Sequence, residues 1–109
     1  MAETRLHMFV GDADHDLALT PPMIVELERL TGRGIGGIFR RLAASEFAFA
    51  EVVETIRLGL VGGGMEPQRA AEIVETYVRP RPLAEIFPTA LSIMEAVWFG
   101  APQTAPDSP

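Results

Sequence analysis

Cysteine is absent from the chain, and so is lysine: all nine basic residues are arginine. Without cysteine there is no disulfide, no thiolate nucleophile and no zinc site of the cysteine type, and the redox compartment cannot be read. Positive charge is scarce as well, with nine arginines against 15 acidic residues and a net charge of −6. Such a balance repels a phosphate backbone and argues against nucleic acid as a partner. No window approaches the roughly 18 apolar residues of a membrane span, and the charged N-terminus lacks the apolar centre of a signal peptide. The expectation is therefore a cytoplasmic protein that binds neither nucleic acid nor membrane.

What is present suits one domain. At 109 residues, 48% hydrophobic and 22% charged, the chain has near-average globular composition and needs no metal or cofactor to fold. A domain over residues 1–100 is expected, mainly α, with a short N-terminal β-hairpin (4–19) followed by a compact bundle of four to five short helices. The segment 101–109, "APQTAPDSP", has nothing to pack and reads as a disordered tail.

The hairpin reading comes from "TRLHMFV" and "LALT", extended runs about the polar turn "GDADHD". Thr20 and Pro21 then supply a helix start, and Ile24, Leu27 and Leu30 form the inward face of a helix over 21–31, closed by Gly32. A second helix over 35–44 turns Ile35, Ile38, Phe39 and Leu42 inward and Arg40 and Arg41 outward. A third over 49–61 buries Val52, Val53, Ile56, Leu60 and Phe49 and exposes Glu51, Glu54 and Arg57, ending at Gly62, Gly63 and Gly64. The fourth, over 67–78, buries Ala70, Ile73, Val74 and Tyr77. In the last, over 83–99, Ile86, Phe87, Ala90, Ile93, Met94, Val97 and Trp98 form the broad apolar side, and Pro88 implies a kink or a late start.

Patterns that would carry chemistry fail on context. Gly32, Gly34 and Gly37 match G-x-G-x-x-G, but an amphipathic helix precedes them where a dinucleotide loop requires a buried strand. Asp12, Asp14 and Asp16 alternate like half a calcium loop, yet Leu17 and Met23 stand where its glycine and bidentate glutamate belong. His7 and His15 have no serine at a triad's spacing. Glu26…Arg29 and Glu54…Arg57 read as helix-face ion pairs, not as paired catalytic carboxylates. A helix-turn-helix regulator is disfavoured because "EPQRAAEIVETYV" sets Glu66, Glu72 and Glu75 against Arg69 alone. No enzyme is expected.

What remains is surface. Phe47, Phe49, Phe87, Met94, Trp98 and Phe99 read mostly as core, but together they carry more apolar area than one small core readily hides, so some could form a groove for a partner helix.

In this order after a short hairpin, "MIVELERLTGRGIGGIFRRL", "FAEVVETIRLGLVGGGMEPQRAAEIVETYV" and "RPLAEIFPTALSIMEAVWFG" resemble the gene transfer agent family of phage-tail proteins. The most specific pieces are "ETIRLGLVGGG" and "ELERLTG". The resemblance implies tail morphogenesis, either as a tail tube protein or as a tail assembly chaperone whose client is the tape-measure protein. Tube rings pair strands between subunits and this chain offers one hairpin, which favours the chaperone. The alternative is a structural component retained in the particle, which would make the protein virion-associated; homo-oligomerisation is left open. Glu26, Glu28, Arg57, Gly62, Gly63 and Gly64 are the candidate partner-binding residues.

Overall fold

A computed structural model describes residues 4–101; all of the expected tail except Ala101 lies outside them. Strand β1 (Leu6–Val10) pairs antiparallel with β2 (Ala13–Leu17), in the register Leu6 to Leu17, Met8 to His15 and Val10 to Ala13. The turn is only Gly11 and Asp12, shorter than the six-residue turn read from the sequence, so His15 and Asp16 are strand residues. Gly11 has φ 73° while Asp12 does not reach positive φ, the pattern of a II′ turn, whose twist suits paired strands.

Five helical segments follow, and the helix boundaries fall within a residue of expectation. They are α1 (Pro21–Thr31), α2 (Ile35–Ala43), α3 (Phe49–Gly62), α4 (Pro67–Ile73), which widens into a π turn over Val74–Val78, and α5 (Leu83–Phe99). In the π turn the Arg79 N–H reaches Val74 O at 2.9 Å, a feature the apolar spacing of the fourth helix does not encode. Helix α5 runs through Pro88 unbroken. Ala84 and Pro88 are both exposed, so the carbonyl that loses its donor at Pro88 lies on the wet side of the helix.

Helix α3 is the central element. Val52, Val53, Ile56 and Leu60 are buried along it and join Leu17, Leu19, Leu27, Ile38, Leu42, Ile93 and Met94 in one core. The hairpin is fastened to it by main chain, Ala18 N–H donating to Gly59 O at 2.9 Å. A Cβ on Gly62 or Gly63 would collide with the carbonyls of Ala18 and Asp16. These glycines therefore end the helix by letting backbone lie on backbone.

Two inward assignments on α1 and α3 are corrected. Phe49 is 42% exposed because it stands at the first residue of α3, where the Arg79 guanidinium covers its ring at 5.5 Å. Leu30 is 41% exposed, since a step of three residues drifts about 60° around a helix, while Ile24 packs half-buried against the core as expected. Only Leu27, between them, is fully inside.

Candidate functional site

Polar chemistry concentrates in two places, and both are saturated. Glu51, expected on the outer face of α3, is buried. Its carboxylate accepts the Arg41 Nε–H at 3.1 and 3.2 Å, pairs also with Arg41 Nη2, and takes the Ala48 N–H at 3.0 Å. Burial pushes its pKa up, but the hydrogen bonds from Arg41 and Ala48 and the charges of Arg41 and Arg33 prevail and hold it below the ordinary value. Arg41, expected outward, is drawn across to it. A carboxylate so fully paired holds α2 to the start of α3 and has no proton to exchange near neutral pH.

The second place is the hairpin's outer face. His7 Nδ1 lies 2.9 Å from Asp16 Oδ1, Arg5 Nη1 3.5 Å from Asp16 Oδ2, and His15 Nε2 2.9 Å from Asp12 Oδ1. The hydrogen bond to Asp16 raises the His7 pKa against a small opposing effect of burial, and the same bond lowers that of Asp16. Strand geometry explains the pairing, because His7 and Asp16 are opposite in register. Asp12 is held by His15 and Arg69 and Asp16 by His7 and Arg5, and no group of three acidic or histidine side chains among the described residues could hold a metal ion.

The candidate partner-binding residues do not form one site. Glu26 pairs with Arg29 at 2.6 Å and Arg57 with Glu54 at 2.6 Å, as the spacings imply. Hydrogen bonding to Arg29 is the main cause of the lowered Glu26 pKa, and the charge of Arg57 on α3 adds to it. Glu28 points elsewhere, accepting the Ile35 N–H at 2.8 Å at the start of α2. Gly62 and Gly63 face the hairpin backbone, while Gly64 has φ 118° with nothing near it.

The surface that is both exposed and unspent is apolar. Trp98 is 54% and Phe99 70% exposed, and both contact Phe39 of α2, Trp98 stacked at 4.9 Å and Phe99 edge-on at 6.1 Å. Beside them a groove of about 390 Å³ runs between α5 and the hairpin, lined by Leu6, Met8, Ser92, Glu95, Ala96 and Phe99. Phe47 and Phe87 instead stack on each other half-buried at 5.3 Å, and Met94 is core. Exposed Phe9 was not singled out from the sequence; its position in the period-2 strand, alternating with Met8 and Val10, is the signal for it.

A family model described as "Phage tail tube protein, GTA-gp10" matches residues 3–100. The chain belongs to this family. Comparison with curated proteins and with solved structures returns no match. Membership in the GTA-gp10 family makes this a phage-tail protein of a gene transfer agent type, a structural and non-enzymatic kind of protein that works through contacts with other tail proteins or with itself. The match spans the hairpin and all the helices, so the aromatic surface and the β1 strand both belong to the family domain.

Proposed function

We propose that the protein is a tail assembly chaperone that covers apolar helices of the tape-measure protein until tube subunits enclose them. The observation that supports this most is the aromatic patch of Phe39, Trp98 and Phe99 with the groove beside it. Rigid rings stacked on one another offer a helix large contact area at low entropic cost. The single hairpin supports the same reading, since tube walls are built from strands paired between subunits and the described residues hold two strands against five helical segments. The charged side chains of Glu26 and Arg57 are a second proposed contact. The site of action is then the cytoplasm of the bacterial host.

The test is co-purification with a tape-measure fragment. Trp98→Ala and Phe99→Ser, which remove exposed side chains, should abolish capture while leaving the far-ultraviolet circular dichroism unchanged. Capture that survives both rejects the patch, and Arg57→Glu without effect removes the polar contact. The family's tail tube description favours a second reading, a structural subunit retained in the particle. Composition of purified particles separates the two: a chaperone is absent, and a structural subunit is present in stoichiometric amount.

A further inference from the structure

The two edges of the hairpin differ. Residues opposite each other in an antiparallel pair alternate between those that exchange hydrogen bonds and those whose N–H and C=O point away from the partner strand. With the two-residue turn joining Val10 and Ala13, the bonded pairs are Val10–Ala13, Met8–His15 and Leu6–Leu17. His7 and Phe9 therefore direct their main-chain groups to the outer edge of β1. The opposite edge, beyond β2, is occupied at Asp16 and Ala18 by the C-terminal turn of α3. The edge of β1 carries no proline, lysine or bulge between Leu6 and Val10, and Phe9 is 61% exposed.

We infer that a second copy of this chain pairs with β1, antiparallel about a two-fold axis at Met8, to make a continuous four-stranded sheet. One open edge and one covered edge permit a closed pair and forbid a ring or filament of strands, which needs two open edges on every subunit. Of the two-fold registers near the strand's middle, the one centred on Met8 overlaps all five residues of β1. It sets His7 of each copy opposite Phe9 of the other, so the pairs exchange main-chain hydrogen bonds and the imidazole held by Asp16 lies beside an exposed ring. Centring on His7 would instead place two imidazoles face to face. Leu6 and Met8, which wall the groove, are carried to the join, so the grooves of the two copies become neighbours.

The absence of cysteine makes the register directly testable. In a non-hydrogen-bonded antiparallel pair the Cα atoms are about 4.5 Å apart, within the range of about 4.4–6.8 Å that a disulfide spans. Met8→Cys should cross-link to a dimer on mild oxidation of the full chain, while Leu6→Cys should not. By sedimentation equilibrium the unmodified protein should be a dimer of the 11.8 kDa chain. His7→Pro, which removes a donor that β2 does not use, and Phe9→Lys should each be monomeric with an unchanged circular dichroism spectrum. A monomeric unmodified protein, a dimer that survives both edge variants, or equal cross-linking through positions 6 and 8 overturns the proposal.

Discussion

Thr55 is enclosed in α3 with no hydrogen-bond partner for its Oγ1. A buried hydroxyl left unpaired carries its desolvation cost without return, so Thr55→Val should raise stability by about 1 kcal/mol in chemical denaturation. Glu51 is the opposite case. Glu51→Ala strands Arg41 and the Ala48 N–H together and should cost about 3 kcal/mol, with Glu51→Gln, which can still cap Ala48, costing less. At His7 the sign follows from the partner. Its folded pKa is raised, so its contribution is complete below the ordinary value of 6.5 and fades as pH rises through the folded value. The lowered pKa of Asp16 gives a contribution present above 3.8 and lost as pH falls through the folded value. The pair is thus at full strength between these two limits. Imidazole resonances should titrate above 6.5 for His7 and return to it in Asp16→Asn; a midpoint that ignores the substitution rejects the pairing.

Among the elements, two glycine sites separate backbone conformation from close approach. Gly32 ends α1 at φ 71° with no atom within 4 Å of an added Cβ, so Gly32→Ala should cost only about 1 kcal/mol in the left-handed region. Gly62→Ala has no conformational penalty but drives a methyl into the Ala18 carbonyl, and should cost about 3 kcal/mol or more as the hairpin is pushed off α3. Thermal unfolding of the two variants side by side checks the ranking. The first site was legible in the sequence, because an amphipathic stretch followed by glycine is a local pattern. The second was not: "GGG" says that a helix stops, and nothing local says what lies against it. Glu51 illustrates the same limit. Its place at the third position of α3 fits a glutamate that caps its own helix, but the Ala48 before it breaks the usual motif, and Arg41 comes from another helix. Periodicity located the helices well, since their apolar faces repeat every turn. It misjudged Leu30 and Phe49, at helix ends where the core runs out, and Trp98, which it set on the inward side of the last helix although it is 54% exposed; nor did it give the groove its second wall of Leu6 and Met8.

For the molecule as a whole, the distribution of unspent surface is what membership in a phage-tail family acts through. Charged groups are largely consumed in local pairs, while two exposed aromatic rings, Trp98 and Phe99, stand together at the α2–α5 corner and a third, Phe9, on β1. The single tryptophan stands in that corner, which turns it into a reporter. Its fluorescence should shift to shorter wavelength when a partner helix covers the patch, and Phe39→Ala should alter the free protein's emission by removing the stacked ring. An emission maximum that stays fixed on addition of a tape-measure fragment that binds would place the contact elsewhere.

The fastening of Ala18 to Gly59, with Leu17 and Ile93 on either side of that glycine, also bears on the order of events during synthesis. The hairpin is made first, yet the surface it rests on is completed only when α3 and then α5 have emerged. A pair of strands alone is marginal in water, so the N-terminal segment must wait, its apolar face wet, for the rest of the chain to arrive. Truncations ending before α3 should therefore be digested by protease at the hairpin, and those ending after α5 should resist.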